Sequence, residues 1–155
     1  MRSAARLAAV AGVISGLWAA QRDDYPVTVK TDHSLSELIL STRPVNYTEI
    51  PQPDALVVVT AEKLSKVSHH LQSMTEADQL FTVPAFADVP TRARKTVLDL
   101  GRLRTASHAL ALLAAALREL GPFPGEALEA AVREDAPAHA KLNLEAIRAG
   151  VASLP

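Results

Sequence analysis

The order of apolar and polar positions divides the chain into alternating helices and strands. Residues 7–21 form an uncharged run in which Ala, Leu and Val fall on several sides, the pattern of an Ala-rich helix that is buried. Polar residues follow at 21–25, and Pro26 stops any helical continuation. Val27 and Val29 then alternate with Thr28 and Lys30 as a strand does. Thr31, Asp32, His33 and Ser34 are turn-like, and residues 35–41 return to apolar positions with polar ones between, so 27–30 and 35–41 are expected to pair as a hairpin. The clearest strand follows Asp54, where Ala55, Leu56, Val57, Val58 and Val59 run to Thr60; an apolar run of this kind is expected of a central strand covered on both faces. Residues 61–74 read as a helix, 79–83 as a strand and 83–90 as a loop. The pattern from 91 to 120 is helical, with Gly101 as a break and a highly apolar second part at 106–117. Gly121-Pro122 and Pro124-Gly125 end it, 126–133 is a short amphipathic helix, and Pro137 separates this from a last helix at 138–149 capped by Gly150. The alternation predicts an α/β fold: a layered sheet, mixed or mostly parallel, flanked by helices in one domain over residues 1–155.

Composition narrows the class. At 155 residues, 48% hydrophobic and 21% charged, the chain suits a single globular domain. Sixteen basic residues against seventeen acidic ones, a net charge of -1, leave no electrostatic footprint for nucleic acid or an anionic membrane surface. The absence of cysteine rules out disulfides, thiolate-bound zinc, cysteine-ligated iron-sulfur clusters and a Cys nucleophile on this chain. Arg2 and Arg6 ahead of the apolar run imitate a signal peptide, but fifteen residues interrupted by Gly12 and Gly16 are too few to span a bilayer. A buried helix and a cytoplasmic location are the expectation.

Few residues suggest chemistry. The six glycines are scattered, with no G-x-G-x-x-G or P-loop pattern. His69 and His70 are adjacent, about 100° apart on a helix, and read as a surface pair rather than ligands of one metal ion. His108 and His139 read as structural, and Asp23-Asp24 as a solvated turn or helix end. No catalytic residue and no metal site is assigned. The stretch 21–41 differs, because hydroxyls, an imidazole and a carboxylate crowd between two apolar strands. Gln21, Tyr25, Thr31, His33, Ser34 and Glu37 are the candidate substrate- or partner-binding residues. A hydrolase using Ser34 or Ser36 with His33 has poor geometry, since neighbours in a strand point to opposite faces.

At this stretch the sequence resembles the gamma subunit, or gamma domain, of the 2-oxoacid:ferredoxin oxidoreductases, the pyruvate and 2-oxoglutarate ferredoxin oxidoreductase family. Gly16-Leu17-Trp18-Ala19-Ala20-Gln21 follows a helix over 4–16 and leads into the polar loop. Ser34-Leu35-Ser36-Glu37-Leu38-Ile39-Leu40-Ser41 is similar to the family's "S-E-V-x-I-S" strand. Tyr47 and Ile50 to Asp54 resemble its "I-x-x-P-D" lead into a strand, and Asn143, Ala146 and Gly150 its closing "N-x-x-A-x-x-x-G" helix. Two features depart from the pattern. The family's opening strand with its Gly-rich "G-x-G-G-Q-G" turn lies ahead of the point where this sequence starts, and Lys30-Thr31-Asp32-His33 stands where a small or Gly-rich segment is usual. The resemblance implies a non-catalytic subunit that binds no cofactor by itself. In the implied complex, other subunits carry thiamine diphosphate and iron-sulfur clusters, form an acyl-coenzyme A from a 2-oxoacid, and pass electrons to ferredoxin or a similar acceptor. The competing reading from the residues is a free-standing α/β module for a small anionic ligand held at helix N-termini and the His33-Ser34 loop.

Overall fold

The computed structural model describes residues 1–24, 35–61 and 64–155. The first helix, α1 (Arg2–Ile14), buries Ala4, Ala5, Leu7, Ala8, Ala11 and Gly12, so small residues recur at helical spacing on its packed face. It ends sooner than the apolar run suggests. The Gly16 N–H donates to Val13 O and the Leu17 N–H to Gly12 O, a Schellman closure that requires the left-handed backbone Gly16 adopts (φ 83°). The reversed chain enters β1 (Trp18–Asp24), which pairs antiparallel with β2 (Leu35–Ser41) from Trp18 opposite Ser41 to Asp24 opposite Leu35. Among the described residues the partner of β2 is 18–24; the strand expected at 27–30 lies outside the described residues. Asp23 and Asp24 belong to a strand, not to a turn or helix end.

The second sheet is parallel and has the order β3 (Ala55–Val58), β4 (Gln79–Thr82), β5 (Arg94–Val97), with α2 (Leu64–Ser73) between β3 and β4. Two expectations are corrected. The centre of this sheet is β4, where Leu80 and Phe81 are fully buried, while β3 pairs with β4 alone among the described strands. The helix expected over 91–120 is a strand followed by a helix, because Ala93, Leu98 and Leu100 bury on an extended chain whose Arg94 and Leu98 amides bond back to the β4 segment at Asp78 and Thr82. The Gly101 turn precedes α3 (Thr105–Leu120), and His108 Nε2 sits 3.1 Å from Leu100 O and 3.3 Å from Leu103 O, tying that turn to the helix.

Helix α3 is the spine of the core, burying Leu110, Ala111, Leu112, Ala114, Ala115 and Leu117 among its residues against α1, the sheet and the last two helices, α4 (Gly125–Asp135) and α5 (Ala140–Ala152). A smaller cluster of Val58, Val67, Leu71, Met74, Leu80 and Ala93 packs α2 on the opposite face of the sheet. Helices thus cover both faces of a mixed α/β domain, as the alternation predicts. Gly150 does not cap α5 but lies inside it, where a Cβ would stand 2.0 Å from Ala111 O. Among the described residues, no helix is long and apolar enough to cross a membrane.

Candidate functional site

Of the six residues singled out in the sequence, Gln21 and Glu37 are described; Tyr25, Thr31, His33 and Ser34 lie outside the described residues. The hairpin does not bring Gln21 and Glu37 together. Gln21 is opposite Leu38 and Glu37 is opposite Arg22, so the period of two along each strand puts the pair on opposite faces. On the α1 face, Gln21 Nε2 donates to Asp23 Oδ1 at 2.9 Å, the Ser36 hydroxyl donates to the same oxygen at 2.6 Å, and Arg2 lies 3.7 Å from the other carboxylate oxygen. The Ser36 proton is thus directed at a carboxylate, which leaves it no role as a histidine-activated nucleophile in this geometry.

On the α2 face, Arg22 Nε donates to Glu37 Oε2 at 2.6 Å, and His70 Nε2 lies 3.9 Å from Glu37 Oε1. Lys66, one turn earlier on α2, pairs with Asp24. His70 corrects the expectation of a surface histidine pair, since it is only 7% exposed. The signal was in the sequence: Val67, His70, Leu71 and Met74 fall at i, i+3, i+4 and i+7, so His70 rides on the apolar stripe of α2. His69 stacks obliquely on it, with ring centroids 3.8 Å apart. His70 Nδ1 is the one buried side-chain N or O atom without a hydrogen-bond partner among the described residues. Within the same residues, no group of three or more His, Asp or Glu side chains is arranged to hold a metal ion.

Burial, reinforced by His69 alongside, holds the His70 imidazole below its ordinary 6.5, with Glu37 pulling the other way. Below that value the unfolded chain takes up a proton that the native chain resists. The stabilising contribution is therefore complete above the unfolded pKa and is lost as the pH falls through the folded one. The urea midpoint of the wild type is expected to drop between about pH 7 and about pH 5.5, and His70→Leu is expected to flatten part of that slope. An identical slope in both proteins would show that His70 titrates as it does in the unfolded chain.

Strand β2 borders a cavity of about 720 Å³. It is lined along its length by residues 35–40 of β2 and 54–57 of β3, with Ala109, Leu113, Ala116 and Leu117 of α3 on one side and Val67 and His70 of α2 on the other. Its lining is mostly apolar, with Ser36, Glu37, Glu49, Gln52, Asp54 and His70 among its polar residues.

The fold has close counterparts. The gamma subunit of a keto/oxoacid ferredoxin oxidoreductase from Geobacter sulfurreducens superposes with a TM-score of 0.74 at 21% identity, covering 97% of this chain and 89% of that one. Subunit PORC of the pyruvate oxidoreductase from Thermotoga maritima gives 0.70 at 18% identity, covering 99% and 89%. At these identities the likeness speaks for the fold. No curated protein matches the chain. The family model described as pyruvate ferredoxin/flavodoxin oxidoreductase, however, matches residues 1–153, which takes in the two sheets and five helices of the described residues, and the chain belongs to that family.

Proposed function

We propose that this chain is a gamma-type subunit of a multi-subunit 2-oxoacid:acceptor oxidoreductase, which oxidatively decarboxylates a 2-oxoacid to an acyl-coenzyme A and passes the electrons to ferredoxin or another acceptor. The observation that carries the reading is the extent of the family match, residues 1–153 of 155, supported by a fold shared with a protein named as a gamma subunit over 89% of its length. The residues present do not fit a cysteine-ligated iron-sulfur cluster, because a chain without cysteine offers no thiolate to one. Thiamine diphosphate and the clusters belong on partner subunits in this reading, and this chain completes the assembly.

The polar stretch then serves as contact surface. Gln21, Tyr25, Thr31, His33, Ser34 and Glu37 meet the partner subunit or the channel by which coenzyme A or substrate approaches. Because Gln21 and Glu37 occupy opposite faces of the hairpin, they serve different neighbours.

The test is native mass spectrometry of the protein purified without oxygen from its own cells. Co-purification with larger subunits that carry thiamine diphosphate and iron-sulfur clusters is expected. A lone monomer or homodimer would overturn the subunit reading in favour of a small-ligand module.

A further inference from the structure

The parallel sheet ends on β5, and among the described strands β5 pairs only with β4. The Arg94 amide donates to Asp78 O and the Leu98 amide to Thr82 O, so the even-numbered residues bond inward. The period of two then turns the N–H and C=O groups of Lys95 and Val97 away from the sheet. Both residues are exposed, Val97 at 40% although its side chain is apolar. Natural sheet edges are commonly guarded by a proline, a bulge or a lysine. The register of β5 runs without a bulge, no proline interrupts it, and Lys95 Nζ is turned back onto the chain's own Ala87 O at 3.0 Å.

Positive charge gathers at the same edge. Residues 88–104 hold five basic side chains, Arg92, Arg94, Lys95, Arg102 and Arg104, against two acidic ones, Asp88 and Asp99, in a chain whose sixteen basic residues are outnumbered by seventeen acidic ones. All five basic residues are exposed, and among the described residues none of the four arginines forms an ion pair. They stand at both ends of β5, with Arg92 and Arg94 at its start and Arg102 and Arg104 beyond its finish.

We propose that the outer edge of β5 takes up an acidic, extended segment of another polypeptide as an added strand. The backbone groups of Lys95 and Val97 supply its ladder, and the side chains select its sequence. Lys95 and Val97 share one face of the strand, Arg94 and Thr96 the other. The segment therefore carries carboxylates opposite Arg94 and Lys95 and an apolar residue opposite Val97. A second copy of this chain does not fit, because β5 has no carboxylate and pairing it with itself brings two Arg94 and two Lys95 into one ladder. A nucleic acid matches the charge but has no peptide groups to complete the edge. The inference goes beyond the subunit reading and stands without it, since the edge reads charge and backbone rather than the partner's activity.

The test is amide hydrogen exchange, resolved to single residues, on the protein isolated at low salt from its own cells, with carbodiimide coupling of lysine amines to neighbouring carboxylates on the same preparation. The Lys95 and Val97 amides are expected to exchange as slowly as the Thr96 amide, which faces β4, and Lys95 is expected to couple to an Asp or Glu of another polypeptide. Val97→Pro removes one outward donor and none that β4 uses, so it should leave the Thr96 amide slow while the Lys95 amide speeds up at least about tenfold. Arg94→Glu, a change of one exposed side chain, should do the same by reversing a charge, and it carries the test if the proline variant does not fold. Fast exchange at Lys95 and Val97 in the wild-type preparation overturns the inference, even where thiamine- and cluster-bearing subunits have co-purified. So does coupling of Lys95 to a second copy of this chain, protection that survives in both variants, or protection that nuclease treatment abolishes.

Discussion

Replacing Gly150 with alanine is expected to destabilise the fold by roughly 3 kcal/mol or more, although alanine is the better helix former. A Cβ at this position would lie 2.0 Å from the Ala111 carbonyl oxygen, 2.6 Å from its carbonyl carbon and 2.8 Å from its Cα. All three are backbone atoms of α3, so no side chain can rotate away. The helix must move, and it carries the most buried run of the chain, including Ala111, Leu112 and Ala115 at 0% exposure. The gain from substituting glycine in a helix, about 1 kcal/mol at most, does not offset that displacement. Guanidinium unfolding followed by circular dichroism measures the loss, with Glu145→Ala on the exposed side of α5 as a control expected to stay within about 0.5 kcal/mol. A Gly150→Ala protein as stable as the wild type would show that α3 and α5 part easily.

Truncating Phe81 to alanine should cost a similar amount, about 3 to 5 kcal/mol, by a different route. Phe81 occupies the middle of β4 and has no exposed surface; it is the largest fully buried side chain of the core. Strands pair on both sides of it, at Val57 and at Thr96, so the surrounding backbone is held by two ladders and cannot collapse into the void. Phe81→Leu, which keeps most of the volume, is expected to lose about 1.5 kcal/mol or less. Chemical denaturation at constant pH separates the two variants. Equal losses from Leu and Ala would mean that shape at this position matters more than volume.

What was legible in the sequence depended on how local the deciding forces are. The alternation of residues 35–41 and the apolar runs at 55–58 and 79–82 mark strands, and the last two helices carry their own boundaries at Pro124 and Pro137. Residues 18–24 are different. Ala, Gln, Arg and Asp are poor strand formers, and that segment is extended because β2 lies beside it and Gly16 turns the chain back. Arg94 and Lys95 likewise hide a strand inside a helical-looking stretch, since the β4 ladder outweighs local preference. The candidate loop was legible as a concentration of polar groups. The placement of Gln21 and Glu37 on opposite faces was not, because that depends on register.

The sequence by itself therefore determined the class of the domain, the resemblance to an oxidoreductase family through motifs kept in order along the chain, and the lack of thiolate ligands. Each of these follows from residue types and their spacing. Tertiary structure alone decided that Gly150 is a contact rather than a cap, that His70 is a buried base rather than a surface one, and that β2 and β3 border one cavity. Those properties arise from groups far apart in sequence that packing brings within a few ångströms of each other, a distance that no local pattern encodes.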